Sequence, residues 1–157
     1  MGSRVLLALV PLLATGAMAG PIDDFEAASA KWRASAIKNY AFSFKTTNDV
    51  LVPTKCDGAL IRVSVRNGRS RTPVVIDGTS RCPSGTRGLR AIGIDVPTTI
   101  EVAFARVGRM LSNPRPSIDV RVRYDANLGF PASYQAYDNA MSDNDWGFEI
   151  QDFEAVK

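Results

Sequence analysis

An alternating stretch that ends in Asn67-Gly68 constrains the fold of this chain more than any other feature. Over residues 59 to 66, the apolar Ala59, Ile61, Val63 and Val65 alternate with a second set, Leu60, Arg62, Ser64 and Arg66, that is polar or charged except at Leu60. Alternation places successive side chains on opposite faces of a strand, and Asn-Gly supplies the two positive φ angles of a tight hairpin turn. The sequence therefore predicts a hairpin that returns over residues 69 to 76, with Ile61 opposite Val74 on its buried face.

The same register collects arginines on the outer face of the hairpin. Four guanidinium groups on one face repel each other unless an anionic neighbour relieves them. We therefore predict a candidate anion-binding face formed by Arg62, Arg66, Arg69 and Arg71. Arg121 and Arg123 of a later strand would extend this face across the sheet, whereas an acidic cover would neutralise it internally; the candidate covers are Asp143, Asp145 and Glu149.

Two helices are predicted from spacing and capping patterns. Asp23 is a candidate N-cap for the first helix, which carries an apolar stripe that includes Trp32 and stops near Asn39. Thr98 and Glu101 form a capping-box pattern at the start of the second helix. Its apolar stripe consists of Ile100, Ala103, Phe104, Val107 and Leu111.

The remaining strands give the fold class. A strand is predicted at residues 40 to 45, and a meander of three strands runs from Ile118 to Phe153. Residues 77 to 97 lack periodicity and are expected to form a long loop, with a short strand at residues 89 to 94. The prediction is an α+β fold, an antiparallel sheet of about six strands with two helices on one face, in the order of an αβββ unit that occurs twice.

Residues 1 to 19 have the pattern of a cleavable signal peptide. Arg4 precedes an apolar run, and Ala17-Met18-Ala19 provides the small residues that signal peptidase reads. We expect residues 20 to 157 to form a single domain that is exported to the periplasm or secreted, with no transmembrane segment in the mature chain.

The chain contains two cysteines, Cys56 and Cys82. Exported proteins meet an oxidising environment, so we predict a disulfide between them. Closing a loop of this length stabilises a fold by roughly 3 to 4 kcal/mol in the chain-entropy model.

Composition excludes several kinds of catalytic site. The chain has no histidine, which removes Ser-His-Asp, Cys-His and His-metal sites. We expect no enzyme activity, no cofactor and no metal. The acidic bend at Asp138, Asp143, Asn144 and Asp145 is a weaker candidate for calcium and a still weaker one for carboxylate catalysis.

Aromatic side chains suggest a second kind of site. Tyr124 and Tyr137 could contribute to a ligand surface. The candidate ligand-lining residues are Trp32, Tyr134 and Trp146. If these side chains lined an apolar pocket between the helices and the sheet, the protein would be a small-molecule carrier. A cavity of several hundred cubic ångströms would favour that function, and a filled core would favour a binding module.

The landmarks resemble an exported bacterial family, domain-of-unknown-function family six-one-seven-four. The matching residues cover most of the chain after residue 19; they are Trp32, Asn39-Tyr40-Ala41-Phe42, Cys56, the segment 63 to 68, Thr98-Thr99-Ile100-Glu101, Tyr124-Asp125 and Leu128-Gly129-Phe130-Pro131. Members often carry a closely spaced cysteine pair after the first strand, which this chain lacks. The resemblance implies the fold and export, and it implies no activity.

The expected function is therefore binding without catalysis. The charge is uneven, with 13 basic and 5 acidic residues between Lys55 and Arg123, and 7 acidic residues but only Lys157 as a basic residue after Arg123. We expect the domain to bind a macromolecule or envelope component, such as an anionic envelope component or a protein, through its sheet face or the 77 to 97 loop. Nucleic acid is not an expected partner outside the cytoplasm.

Overall fold

A computed structural model describes residues 20–46, 49–50, 58–77, 82–83, 85–91, 94–140 and 144–156. The described helices and strands follow one another along the chain in this order: α1 (Pro21–Ser35), β1 (Tyr40–Thr46), β2 (Asp49–Val50), β3 (Leu60–Arg66), β4 (Arg69–Ser70), β5 (Val74–Asp77), α2 (Thr86–Ala91), α3 (Ile100–Ser112), β6 (Ile118–Tyr124), β7 (Pro131–Asp138) and β8 (Asn144–Ala155).

The strands form one antiparallel sheet in the order β4-β3-β1-β8-β7-β6. Strand β2 pairs with β8, and β5 pairs with β3 beyond β4. Because β4 and β5 are two parts of one interrupted edge strand, the sheet is close to the six strands predicted, and the α+β class is confirmed. Each half of the chain contributes neighbouring strands in the same spatial sequence, an order compatible with two αβββ units.

Helix α3 packs on the inner face of the sheet as its spacing predicts. Ile100, Ala103, Phe104 and Val107 are buried, while Leu111 is half-buried. The N-cap is Thr99, whose hydroxyl accepts a hydrogen bond from the Val102 N–H at 3.3 Å. The predicted cap at Thr98 is therefore wrong by one position, and Glu101 is left free to make tertiary contacts.

Helix α1 begins and ends earlier than its sequence predicted. Its N-cap is Gly20, whose N–H donates to the Asp23 carboxylate at 3.0 Å, so Asp23 lies in the first turn rather than at the cap. The helix ends at Ser35, and its C-cap Ala36 adopts the left-handed conformation with φ 52°. Asn39 is not the stop; its side-chain oxygen instead accepts a hydrogen bond from the Asn67 N–H at 2.8 Å.

The core lies between the helices and the inward side chains of β1, β3, β7 and β8. Tyr40, Phe42 and Phe44 of β1 are essentially inaccessible, as their alternation predicts. They face Val65, Val63 and Ile61 of β3 across the sheet. This register confirms the predicted buried face of the first hairpin strand.

The second strand of that hairpin departs from the predicted register. Residues 71 to 73 leave the ladder, and pairing resumes with Ile61 opposite Val75 rather than Val74. Proline has no N–H to donate, which explains why the strand breaks beside Pro73. Because a shift of one residue exchanges the faces of a strand, Val74 is 51% exposed and Ile76 is 53% exposed instead of buried.

Two further departures concern short-range structure. The predicted strand at residues 89 to 94 is wrong: α2 occupies Thr86–Ala91, and its Leu89 is fully buried. In β8 the pairing with β1 shifts between Ala41 and Ser43, where Asp152 has φ 48°. This bulge adds one residue, so Phe153 points inward and packs on the core.

Residues 1 to 19, which carry the predicted signal peptide, lie outside the described residues. Among the described helices, none has the length and apolar character needed to cross a membrane.

Candidate functional site

The four hairpin arginines lie on the outer face of the sheet, as the turn predicts. Arg66 is directly opposite Arg69, and the Arg71 N–H donates to the Ser64 carbonyl at 2.8 Å. Ser64 alternates with the buried Val63 and therefore points outward. Arg62 precedes it by two positions on the same face.

Arg62 differs from the other three because it is neutralised within the chain. Its guanidinium forms an ion pair with Glu154 at 2.8 Å and donates to the Asp152 carbonyl at 3.1 Å. It also donates to the hydroxyl of Ser43, the buried polar side chain of β1, at 3.3 Å. Arg62 thus connects β3 to β1 and to the β8 bulge, and it belongs to the structure of the sheet.

Arg66, Arg69 and Arg71 are exposed, and within the described part of the chain they have no ion-pair partner. The hairpin tip lies beside another cation, since the Gly68 N–H donates to the carbonyl of Lys38, an exposed residue. These three arginines and Lys38 are called the basic tip below.

Of the two alternatives for the outer face, a continuous arginine face across the sheet has less support than neutralisation by acidic neighbours. Strand β8 lies between the two groups of arginines and carries Glu149 and Glu154 outward. Glu149 is 3.9 Å from Arg123, and Arg121 forms an ion pair with Asp119 at 2.9 Å. The arginines of β6 therefore have carboxylate neighbours, and among the described arginines of the outer sheet face those without an ion-pair partner are Arg66, Arg69 and Arg71.

Two of the three candidate ligand-lining residues are core residues. Trp32 is 4% exposed and Tyr134 is 1% exposed, and Trp146 is half-buried. The Tyr134 ring stacks on Phe148 with centroids 5.5 Å apart, and burial raises the pKa of its hydroxyl. Tyr137 is three residues along from Tyr134 and therefore points to the opposite face of the sheet.

Trp32 takes part in a network with Tyr40 and Glu101 at the start of α3. The indole N–H of Trp32 donates to one carboxylate oxygen of Glu101 at 2.9 Å, and the Tyr40 hydroxyl donates to the other at 3.1 Å. The same hydroxyl accepts a hydrogen bond from the Ile100 N–H at 3.0 Å. Three elements that are distant in sequence, α1, β1 and α3, are joined at these atoms.

This network changes the acidity of two groups. Desolvation acts to raise the pKa of Glu101, but hydrogen bonds, first the one from Trp32, outweigh it and hold the pKa below 4.5. Burial, followed by the neighbouring Glu101 charge, raises the pKa of Tyr40 well above its ordinary value. Both groups keep one protonation state near neutral pH, so the network is a fixed structural contact rather than an acid-base pair. A capping-box pattern displaced by one residue was the only sequence signal for it.

The acidic bend is only partly described, because Asp143 lies outside the described residues. The Asp145 carboxylate accepts a hydrogen bond from the Asp138 N–H at 3.3 Å, and the Asp138 carboxylate accepts one from the Ala140 N–H at 3.0 Å. These contacts are those of a turn. Among described residues, no group of three or more acidic, histidine or cysteine side chains could hold a metal.

The predicted disulfide involves Cys56, which also lies outside the described residues. Cys82 is half-buried and packs against the core next to α2. The pairing of Cys56 with Cys82 stays a prediction.

The sequence of this chain matches a known protein family over most of its length. A family model matches residues 24–155, which span most of α1, the whole of α3 and the whole described sheet. The chain belongs to the family of unknown function DUF6174. No curated protein matches it. Membership of DUF6174 confirms the resemblance and leaves the activity open.

Several of the residues that carry the resemblance to DUF6174 meet around α1. Trp32 contacts Tyr40, Phe130 and Phe153 edge-on, with ring centroids 5.4, 6.3 and 5.8 Å away. The turn before β7 is ordered by Asp125, whose carboxylate accepts hydrogen bonds from the Asn127 and Leu128 N–H groups. These DUF6174 landmarks therefore hold helix, sheet and turn together, and a further landmark, the segment 63 to 68, contributes Arg66 to the basic tip.

Proposed function

We propose that this protein is an exported, non-enzymatic binding module that holds an anionic envelope component through its basic tip. One contrast carries the proposal. On the outer sheet face, Arg62, Arg121 and Arg123 each have a carboxylate partner. Within the described residues, the arginines at the tip have none. Charges that remain unpaired on a rigid hairpin are available to a partner without first breaking an internal contact.

The local structure supports a preorganised surface. The tip is fixed to the body of the domain by two hydrogen bonds, from Asn67 N–H to Asn39 at 2.8 Å and from Gly68 N–H to the Lys38 carbonyl at 3.0 Å. Guanidinium groups also offer planar, bidentate donors that suit carboxylate and phosphate groups. Little backbone entropy is then lost when an anion binds.

The alternative function, a small-molecule carrier, has less support. It requires a cavity bounded by Trp32, Tyr134 and Trp146. Two cavities described by the structure, of about 270 and 450 Å³, are bounded by other residues. Trp32 and Tyr134 instead contact neighbouring aromatic rings inside the core.

The test compares two triple variants on a heparin-like anionic resin. The tip variant replaces Arg66, Arg69 and Arg71 with Gln, and the matched control removes the same charge from the exposed Arg33, Arg109 and Arg115. We expect the tip variant to elute at lower salt than the control, with the slope of log affinity against log salt reduced by up to about 0.9 per arginine. Both variants should keep the parent melting temperature, because exposed charges contribute little to stability.

Arg62→Gln provides a further control. This substitution should lower the free energy of unfolding by about 1 kcal/mol, through its lost contacts to Glu154 and Asp152, while leaving resin retention close to that of the parent. Equal elution of the tip variant and the charge-matched control would refute the proposed function.

A further inference from the structure

Strand β6 presents a free edge at the opposite end of the sheet from the basic tip. Its only neighbour among the described strands is β7. The Ser117 carbonyl accepts from the Asn139 N–H on the β7 side, whereas the Ile118 N–H donates to Arg115 on the other side. Since backbone groups alternate along an antiparallel strand, the N–H and C=O groups of Val120 and Val122 point to the free edge.

The inner side of this edge is incompletely covered. Tyr134 and Ala136 of β7 are almost fully buried, but their partners on β6, Val122 and Val120, are only half-buried. A groove of about 270 Å³ lies beside them, bounded also by Pro21, Leu111 and Tyr124 and, at its charged positions, by Asp24 and Arg121. The Tyr124 hydroxyl is buried there without a hydrogen-bond partner among the described residues. Apolar core surface therefore continues to the edge of the sheet.

The sequence of β6 is complementary to itself in an antiparallel arrangement. When two copies pair with Val120 opposite Val120, Ile118 lies opposite Val122 on the inner face. On the outer face, Asp119 then lies opposite Arg121 twice. Each Arg121 already contacts its own Asp119 at 2.9 Å, so the four side chains would form a ring of alternating charge.

We propose that β6 is the interface of a symmetric homodimer, in which two copies pair antiparallel about Val120 and continue the sheet from one protomer into its partner. The occupant of the edge is a second copy because the strand supplies both the complementary charges and the inward apolar side chains. The twofold axis also brings the two grooves together on the same side of the sheet. An interface of this kind leaves both basic tips at the far ends of the extended sheet, and it is independent of what the tips bind.

Cysteine cross-linking tests the register. Opposed α-carbons in a hydrogen-bonded antiparallel pair are about 5.5 Å apart, which is within disulfide range. We expect Val120→Cys to give a disulfide-linked dimer under mild oxidation, and neither Arg121→Cys nor the exposed Val74→Cys on the other edge to do so. Cross-linking at Arg121→Cys but not at Val120→Cys would overturn the proposed register.

Charge reversal tests the pairing through recovery of dimerisation as well as through its loss. Asp119→Arg or Arg121→Glu should each weaken dimerisation by about tenfold, because each places like charges opposite one another twice. An equimolar mixture of the two variants restores Asp-Arg and Arg-Glu pairs and should recover the parent dimer in sedimentation velocity. Circular dichroism of each variant checks that it is folded.

Two results would overturn the proposal. The first is a native chain that sediments as a monomer over roughly 10 to 500 µM, since a specific dimer is populated in that range when its Kd is micromolar. The second is a mixture of the two charge variants that dimerises no better than either variant alone.

Discussion

Gly129 allows a quantitative test of how α1 is held against the rest of the domain. It has φ 81°, and a Cβ added there would lie 2.4 Å from the Ala28 carbonyl oxygen and 3.0 Å from Lys31 Cβ. The nearest atom belongs to the helix backbone, so no side-chain rotation can relieve the contact. The Lys31 ammonium also donates to the Ala126 carbonyl, which fixes the turn to the helix at a second point.

We expect Gly129→Ala to destabilise the domain by about 3 kcal/mol. A left-handed conformation costs a residue with a Cβ about 1 to 2 kcal/mol. Since an ordinary carbon-oxygen contact is about 3.3 Å or longer, helix and turn must also separate by about 1 Å. A gap of about that size removes a quarter to a half of the dispersion energy between the facing groups. Because α1 carries the buried Trp32, we expect this loss to add about 1.5 kcal/mol to the conformational cost.

Gly68→Ala is the matched control. Gly68 has nearly the same backbone conformation, with φ 72°, but its added Cβ would meet no atom within 4 Å. Gly68→Ala should therefore lower the free energy of unfolding only by the cost of the left-handed conformation, about 1 to 2 kcal/mol. Urea unfolding followed by tryptophan fluorescence measures both variants. If Gly129→Ala were within about 0.5 kcal/mol of Gly68→Ala, the close approach of turn and helix would not limit stability, and the argument would be refuted.

Two more predictions concern pH and redox state. The pKa of Glu101 is lowered in the folded state, so its contribution is fully present above the unfolded value of 4.5 and is lost as pH falls through the folded pKa. Glu101→Gln should therefore reduce the free energy of unfolding at pH 7, and the difference from the parent should shrink below pH 4.5; a constant difference down to pH 2 would contradict this. Mass spectrometry after alkylation should find Cys56 and Cys82 linked in the purified protein, whereas two alkylated thiols would exclude the disulfide.

The sequence predicted best those features that depend on local periodicity. Alternation identified the inward residues of β1 and β3, and the stripe from Ile100 to Val107 identified the buried face of α3. Each of these elements packs one face against the same core, so the spacing of its apolar residues shows which face is buried. Asn67-Gly68 likewise fixed the turn and the opposition of Arg66 to Arg69. These features are determined within a few residues of the chain.

Features that depend on distant partners were not predictable in this way. The break at Pro73 and the bulge at Asp152 each displace a strand by one residue, which reverses the exposure of Val74 and Phe153. The neutralisation of Arg62 depends on Glu154, which is 92 positions away in the sequence. Periodicity assigns all four hairpin arginines to the same face. Only the order of strands in the sheet shows that Arg62 is structural and that the other three are available to a partner.

The Tyr40 hydroxyl also bears on how this domain opens. It accepts the Ile100 N–H, one of the groups that the first turn of an isolated helix leaves without a partner, and so strand β1 supplies part of the cap of α3. Loss of β1 from the sheet removes that cap and one of the two side-chain donors to Glu101 at the same moment. The first turn of α3 and the start of β1 should consequently exchange their amide hydrogens with a common free energy of opening, as one cooperative unit that contains segments 60 residues apart.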